Sequence, residues 1–298
     1  MSFYLACDIG GTDLKYSILD QSGSFIVKSA IPTKADLGGI AIIDQIVKIY
    51  FDLVKQYPIS GIAISAAGTI DPNTTIVVDS TDTINNYANL NFRQELNKQI
   101  PNLKVSVDND VNCMALCEVN LGNAKNSHLV VALTVGTGIG GAITIDGNLL
   151  RGNDFSVGEW GKMHLGNSTF EKLASISALV SRAKKLYPNL TDGKSVFKLY
   201  DAGDPKIGLL VKEFYTYLAT GIANLVFAVN PSLIVIGGGI TARGQKFLAE
   251  LLPYLKKKLT PYLYERTKVV LAKHRNDAGM LGAFEHYKKT FLKSEKKR

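Results

Sequence analysis

A cluster of acidic and amide side chains follows a short apolar run in the first half of the chain. It reads Asp108-Asn109-Asp110, comes directly after the predicted strand Val105–Val107 and opens a predicted helix. A carboxylate at a strand end can accept the proton of an attacking hydroxyl group. The amide of Asn109 can hydrogen-bond the hydroxyls of a sugar. Because Asp and Asn also cap helix starts, one of the three residues could instead serve as a cap.

Two segments share a second chemical feature, a glycine-rich turn carrying threonine between two β-rich runs. They are residues 4–23 and 129–147. Glycine turns expose backbone N–H groups that can hold phosphate oxygens. The candidate phosphate-binding residues are Gly10, Gly11, Thr12 and Lys15 in the first turn, and Gly136, Thr137, Gly138, Gly140 and Gly141 in the second. Asp8, at the end of the first strand, can orient Mg²⁺, directly or through water.

The second turn also satisfies the dinucleotide-binding pattern G-x-G-x-x-G at Gly136–Gly141. That pattern requires a helix directly after the turn, so that the pyrophosphate meets the helix N-terminus. Here the β-branched run Ala142–Ile145 follows, which predicts the return strand of a hairpin. We therefore expect a duplicated domain that closes on a nucleotide from both sides, and not a Rossmann domain.

Further candidates lie in the second half of the chain. Gly237-Gly238-Gly239 follows a buried strand and can admit a flat adenine ring against the backbone, although a tight strand-to-helix turn is an alternative. Glu159 can accept two hydrogen bonds from neighbouring sugar hydroxyls. Neither the histidines nor the cysteines, of which there are four and three, show metal-ligand spacing, so we expect buried thiols and no zinc site.

Length and composition favour a cytosolic protein of two domains. The chain has 298 residues, more than one hydrophobic core usually holds. Its apolar runs are shorter than the ~18 residues of a membrane span, and the N-terminus does not resemble a signal peptide. The net charge is +8, of which the tail Lys288–Arg298 supplies +5 from six basic residues and Glu295. No aromatic-interleaved basic face accompanies this tail, so we expect no nucleic-acid binding, and the charge suits a polyanion such as ATP.

The order of predicted elements fits a duplicated α/β design. The first part reads β-β-β-α-β-α-β-α, with helices over Ile40–Lys55 and Val111–Leu121. We expect a small N-terminal domain over residues 1–120 and a larger one over 121–277, with a hinge near Asn120–Ser127. The predicted helices of the second part include Phe170–Leu186, Lys206–Val229 and Gln245–Leu259. The last helix, over about 278–298, could pack back on the first domain.

These motifs together resemble the ROK family of bacterial sugar kinases and repressors over nearly the whole chain. The matching segments are Asp8–Thr12, Ala63–Gly68, Asp108–Cys113, Val135–Ala142, Gly158–Gly161, Phe170–Leu179, Ile236–Ile240 and Asn276–Ala283. The resemblance implies an actin-like ATPase (ribonuclease H-like) fold, with two domains around a nucleotide and sugar cleft. It also implies ATP and Mg²⁺ as cofactors and a sugar phosphorylated on its 6-hydroxyl.

The resemblance also assigns roles to individual residues. It makes Asp110 the catalytic base and gives Asn109, Glu159, Glu171 and Gly68 to the sugar. The remaining assignments are the glycine turns for the ATP phosphates and Asp8 for Mg²⁺.

Two departures from the family pattern bear on the substrate. Lys162 stands where the family usually has a histidine that binds zinc and contacts the sugar, and the short run Met163–Thr169 lacks the family's cysteine segment. The chain therefore resembles zinc-free members, which include β-glucoside kinases and N-acetylmannosamine kinases. The run Tyr200–Pro205 favours a β-glucoside kinase, with Lys162 near an open sugar pocket.

A regulator of the same family is the alternative from another class. It would need a DNA-binding helix-turn-helix ahead of the first strand at Phe3, and we expect none. Formation of a homodimer stays open at this stage.

Overall fold

The computed structural model describes residues 2–80 and 83–292, and these residues form two compact units. Unit 1 comprises Met1–Asn120, Arg151–Ser156 and Asn276–Arg298, and unit 2 comprises Leu121–Leu150 and Val157–Arg275. Each unit has its own cluster of buried apolar side chains. The chain therefore leaves unit 2 for six residues directly after position 150 and then returns to it.

Each unit is built on a five-stranded mixed sheet. In unit 1 the strand order is β3-β2-β1-β4-β7, and in unit 2 it is β10-β9-β8-β13-β14. In both sheets the first two pairings in this order are antiparallel, and the last two are parallel. The ten strands concerned are β1 (Phe3–Ile9), β2 (Asp13–Leu19), β3 (Phe25–Pro32), β4 (Ile59–Ala66), β7 (Val105–Asn109), β8 (Leu129–Val135), β9 (Ile139–Ile145), β10 (Asn148–Leu150), β13 (Leu233–Gly237) and β14 (Lys268–Leu271).

Two small hairpins and ten α-helices, together with short 3-10 and π segments, complete the described structure. The hairpins are β5 (Thr69–Asp71) with β6 (Ile76–Asp79), and β11 (His164–Leu165) with β12 (Ser168–Thr169). The helices are α1 (Gly39–Val54), α2 (Phe92–Gln99), α3 (Asp110–Leu121), α4 (Phe170–Ala174), α5 (Ile176–Lys184), α6 (Gly193–Asp201), α7 (Pro205–Val229), α8 (Gln245–Lys256), α9 (Pro261–Arg266) and α10 (Ala278–Tyr287). No helix in residues 2–80 or 83–292 combines the length and apolar character needed to cross a membrane.

The register of the first sheet brings three polar residues into one row. Asp8 on β1 lies opposite Ser65 on β4, and Ser65 lies opposite Asp108 on β7. All three strands are parallel, so the row lies near their carboxyl ends, where α/β proteins commonly bind ligands. The sheet thus places the two acidic motifs of unit 1 side by side.

The last helix, α10, packs on the sheet of unit 1. The ring of Tyr4 on β1 lies 4.9 Å from that of Phe284 and 5.3 Å from that of Tyr287. Gly282 faces the backbone of Cys113 on α3, where any side chain would overlap the carbonyl group. The C-terminal helix is therefore part of the core of unit 1, and residues 293–298 of the basic tail lie outside the described residues.

The predicted helix Phe170–Leu186 is wrong as a single element, because the chain breaks at Ser175 into α4 and α5. Ser175 has an extended backbone (φ −79°, ψ 158°), and its side chain accepts a hydrogen bond from the N–H of Ala178. The freed N–H of Ile176 donates to the carbonyl of Gly136, at 2.9 Å. The break thus allows α5 to hydrogen-bond the glycine turn of unit 2. Helical periodicity in the sequence does not indicate this contact.

Candidate active site

Asp8 is held at the end of β1 by two side chains of unit 1. Its Oδ1 atom accepts a hydrogen bond from Ser65 Oγ at 2.7 Å, and its Oδ2 atom lies 3.1 Å from Lys15 Nζ. A side chain at Gly279 would collide with this carboxylate, so the backbone of α10 passes directly against it. The positive charge of Lys15, expected near phosphate, is therefore paired with Asp8.

Asp8 fits a magnesium ion better than a zinc ion. No group of three or more His, Cys, Asp or Glu side chains that could hold a metal occurs in residues 2–80 and 83–292. Mg²⁺ is commonly bound by one or two carboxylates together with substrate phosphates and water, whereas structural zinc requires four N or S ligands. The single, partly exposed carboxylate of Asp8 could supply one ligand of the first kind of site.

The first glycine turn joins β1 to β2. The N–H of Gly10 donates to the carbonyl of Asp13 at 2.9 Å, and the carbonyl of Thr12 accepts from the N–H of Thr33 at 2.8 Å. Gly11 and Thr12 are exposed. A methyl group on Gly11 would come within 2.8 Å of the side chain of Thr83. The turn is therefore a closed hairpin whose outer backbone is open to a ligand.

The acidic motif forms the turn from β7 into α3. Asn109 Oδ1 accepts hydrogen bonds from the N–H groups of Val111 (2.9 Å) and Asn112 (3.1 Å), so Asn109 caps the helix. Its Nδ2 atom donates to the carbonyl of Gly68 at 2.9 Å, which joins two of the expected sugar-binding residues. Asp110 is the first residue of α3 and is exposed. Asn109 is therefore the helix cap, as the alternative predicted, and its role toward a sugar stays a prediction.

Asp108 has a different environment from Asp110. Its side chain is fully buried and forms a two-pronged ion pair with Arg151, at 3.1 Å from Nη1 to Oδ1 and 2.6 Å from Nη2 to Oδ2. Burial alone raises the pKa of Asp108, but the charges of His286 and Arg151 and the hydrogen bonds of Arg151 and Asn112 hold it below the usual value. Asp108 is therefore an ionised structural carboxylate.

The second glycine turn joins β8 to β9, as the β-branched run after it predicted. Thr134 pairs with Gly140 and Val135 with Ile139 across the hairpin. Inside the turn the N–H of Gly136 donates to the carbonyl of Gly138 at 3.0 Å. A side chain at Gly138 would collide with the carboxylate of Glu171, which accepts a hydrogen bond from Ile139 N at 2.9 Å. Glu171 and the glycine turn are therefore direct neighbours.

The loop that carries Glu159 packs on the same hairpin. Trp160 lies so close to Gly141 that any side chain there would overlap the indole ring. The Lys162 ammonium lies 3.4 Å from a Glu159 carboxylate oxygen, and 63% of the Lys162 side chain and 41% of the Glu159 side chain are exposed. Glu159 thus remains accessible beside the glycine turn, with Lys162 as its ion-pair partner.

A pocket of about 610 Å³ in unit 2 lies beside the second glycine turn. Its walls include Gly136 and Thr137 of the turn, and Gly239, which follows β13. Gly237 ends that buried strand, and Gly238 has a φ of +83°, with its would-be Cβ 2.6 Å from the carbonyl oxygen of Val135. The three-glycine run is therefore both a tight turn, as the alternative predicted, and a pocket wall.

The opposite wall of this pocket comes from α6, which sequence reasoning missed. Phe197 and Asp201 of α6 line the pocket together with Arg243. Arg243 lies over the ring of Phe197, 4.4 Å from its centroid, and bonds to Asp201 (2.7 Å) and Glu250 (2.6 Å). Hydrogen bonding to Arg243 is the main cause that lowers the pKa of Asp201 to about 2. The volume of the pocket lies within the range of small-molecule sites in proteins.

A family model described as the ROK family matches residues 4–290. The chain belongs to the ROK family. A β-glucoside kinase of Listeria innocua is 34% identical over 298 residues, which cover 95% of this chain and 96% of the relative. The Lmo2764 protein of Listeria monocytogenes, whose suggested activity is N-acetylmannosamine kinase, superposes with a TM-score of 0.85, 32% identity and coverage of 98% and 99% of the two chains.

A second solved structure supports the fold assignment. It is a glucokinase of Streptomyces griseus solved with glucose and AMPPNP, with a TM-score of 0.79, 23% identity and coverage of 94% and 97%. This ROK chain has the actin-like ATPase fold, as the paired glycine turns predicted. The repeated strand order of its two sheets is the duplication on which that fold is built.

Proposed function

We propose that this ROK protein is an ATP-dependent sugar kinase that transfers the γ-phosphate to the 6-hydroxyl of a hexose, either a β-glucoside or glucose. The observation that carries the proposal is the placement of Glu171 against the same glycine turn that borders the 610 Å³ pocket. A residue expected to bind sugar and a turn expected to bind phosphate are thereby neighbours. Kinase names among close relatives support the same reaction.

The chemistry divides among named residues. The exposed carboxylate of Asp110 accepts the proton of the 6-hydroxyl as the oxygen attacks the γ-phosphorus, and the bond to the β-phosphate oxygen breaks to release ADP. Backbone N–H groups of both glycine turns stabilise the charge that develops on the phosphate oxygens. When bound, Mg²⁺ neutralises phosphate charge, and Asp8 is the residue that would hold it.

We assign the nucleotide base to the pocket between α6 and the run after β13. Gly239 offers a wall without a side chain, so a flat adenine ring can lie against the backbone. Phe197 and the paired Arg243 close the other side. ATP use also makes the cytosol the natural compartment for this enzyme.

The sugar is assigned to Asn109, Gly68, Glu159 and Glu171, with Lys162 beside it. Carboxylates and amides recognise vicinal hydroxyls through paired hydrogen bonds and discriminate against sugars that lack one. A lysine in place of a zinc-held histidine leaves the pocket more open near C1, which would admit a β-linked substituent. N-acetylmannosamine is the second candidate, because the Listeria monocytogenes structure carries that suggested activity.

The deciding experiment measures ADP release with ATP and Mg²⁺ across cellobiose, another β-glucoside, glucose, mannose, N-acetylglucosamine and N-acetylmannosamine. Turnover with a β-glucoside or glucose at the highest kcat/KM supports the proposal, and the phosphorylated carbon is then identified by NMR. Preference for N-acetylmannosamine would select the second candidate. Sugar binding by calorimetry without any ADP release would instead indicate a non-catalytic sugar sensor and overturn the proposal.

A further inference from the structure

Arg151 is the point at which the chain returns to unit 1 after the hairpin of β9 and β10. Its neighbour Leu150 belongs to unit 2, whereas Arg151–Ser156 belong to unit 1. Only 23% of the Arg151 side chain is exposed, and both ends of its guanidinium bond the two oxygens of the buried Asp108. Two parallel N–H···O bonds of this kind fix distance and orientation together.

The same carboxylate organises the turn that presents Asp110. Asp108 Oδ1 accepts hydrogen bonds from the backbone N–H of Asn109 at 2.9 Å and from the side chain of Asn112 at 3.0 Å. Asn109 in turn caps α3, of which Asp110 is the first residue. A continuous chain of hydrogen bonds therefore runs from Arg151 through Asp108 to the residues on both sides of Asp110.

Arg151 also supplies this buried cluster with a positive charge that does not titrate at physiological pH. His286 Nδ1 lies 3.6 Å from Asp108 Oδ2, but burial lowers the pKa of His286, whereas the guanidinium of Arg151 keeps its charge at every physiological pH. Its other nitrogen, Nε2, is buried and has no hydrogen-bond partner among the described residues. Without the guanidinium, Asp108 would be a buried charge without a full counter-ion, and such a group protonates or moves.

We infer that Arg151 is a positioning residue for sugar phosphorylation, which holds the Asn109-Asp110 turn in its reactive geometry through Asp108. This inference rests on the proposed kinase function. Arg151 acts on the base and on the sugar contact, which both lie in the turn. It does not act on the nucleotide, whose assigned pocket is in unit 2.

The test compares Arg151→Met with a matched control, Arg93→Met. Arg93 is a half-buried arginine of unit 1 that bonds the carbonyl of Val105, at the opposite end of the same strand β7.

Kinetics are normalised to the concentration of folded protein, which is measured by calorimetric titration with the preferred sugar. We expect Arg151→Met to lower kcat by about 10- to 100-fold and to raise KM for the sugar, because small misplacements of reacting groups are costly. In Arg151→Met, KM for ATP should stay within about twofold of wild type. Arg93→Met should leave kcat, KM for the sugar and KM for ATP unchanged.

A double variant, Asp108→Asn with Arg151→Met, separates positioning from direct substrate contact. The substitution Asp108→Asn removes the buried negative charge but keeps a side-chain oxygen that can accept from Asn109 N–H, so kcat of the double variant should be at least about threefold higher than that of Arg151→Met. A double variant as slow as Arg151→Met would mean that Arg151 touches the substrate and would overturn the inference. Unchanged kcat and sugar KM in Arg151→Met would overturn it as well.

Failure of the proposed function gives a different result. It would appear as absent turnover in the wild-type protein with every sugar. In that case sugar affinity, measured by calorimetry without nucleotide, replaces kcat as the readout. Weaker sugar binding in Arg151→Met than in Arg93→Met would still support positioning of the turn, and equal binding would overturn it.

Discussion

Glu171 Oε2 accepts a hydrogen bond from the backbone N–H of Ile139 at 2.9 Å. This bond joins the first turn of α4 to the glycine turn between β8 and β9. We expect Glu171→Ala to raise KM for both the sugar and ATP, each by about tenfold, because the loss removes a sugar contact and loosens the phosphate-binding turn. Glu171→Gln retains an oxygen that can accept from Ile139, so it should raise only the sugar KM.

Steady-state kinetics with each substrate varied in turn measure this difference. The neighbouring exposed Lys172→Ala is the control and should leave both constants unchanged. A rise of sugar KM alone in Glu171→Ala would show that the bond to Ile139 does not support the phosphate-binding turn.

Asp110→Asn keeps the shape of the side chain and removes the proton acceptor. We expect kcat to fall by about 10²–10⁴-fold with sugar affinity largely kept, as for loss of a general base. Asp20→Asn, in the exposed turn between β2 and β3, is a control of the same chemistry in the same unit. Activity of Asp110→Asn within a few-fold of wild type would exclude this residue as the base.

The metal requirement follows from the single carboxylate of Asp8. Removal of divalent ions with EDTA should abolish turnover, and added Mg²⁺ should restore it, whereas a zinc-selective chelator should have no effect. Asp8→Asn should raise the Mg²⁺ concentration needed for half-maximal rate by about tenfold or more. One zinc ion per chain by elemental analysis would contradict the assignment.

Lys162 offers a test of sugar selection. Its ammonium is 3.4 Å from Glu159, one of the residues assigned to the sugar. We expect Lys162→Ala to change the ratio of kcat/KM between cellobiose and glucose by about 3- to 10-fold, since an exposed ion pair is weak but lies beside the sugar-binding carboxylate. Lys172→Ala again serves as the control. An unchanged ratio, together with no turnover of β-glucosides, would remove Lys162 from the sugar site.

Two adjacent glycines should respond differently to alanine. Gly238 has a φ of +83°, and a Cβ there would lie 2.6 Å from a backbone carbonyl, so Gly238→Ala should lower Tm by several degrees. A Cβ on Gly239 meets no atom within 4 Å and Gly239 lines the 610 Å³ pocket. Gly239→Ala should therefore leave Tm unchanged and raise KM for ATP. Equal ATP KM in Gly239→Ala and wild type would place the nucleotide elsewhere.

Much of the fold could be predicted because its signals are local. The β-branched run after Gly141 predicted the hairpin of β8 and β9, and the repeated design of the two glycine turns predicted the repeated strand order. Helix α6 could not be predicted in the same way. It is short and lies between two turns rich in polar residues. The structure shows its start as a capping box, in which Asp192 and Ser195 bond each other's backbone N–H groups.

The candidate site was predictable only where its residues form motifs. The composition of the Asp108–Asp110 cluster was enough to predict a functional site there. The neighbouring sequence does not indicate that Asp108 is buried and Asp110 is exposed. That distinction depends on Arg151, which is 43 residues away and belongs to no motif. Long-range ion pairs of this kind depend on tertiary structure and leave no periodic signal in the sequence.

The position of α10 has a consequence for synthesis of the protein. Strand β1 is made first, yet the helix that covers Tyr4 on that strand is made last, after the whole of unit 2. On the ribosome, unit 2 can complete its core while the sheet of unit 1 still exposes an apolar face to solvent. We therefore expect nascent chains of this protein to be prone to aggregation until α10 has been made, and a polypeptide that ends before Ala278 to stay so.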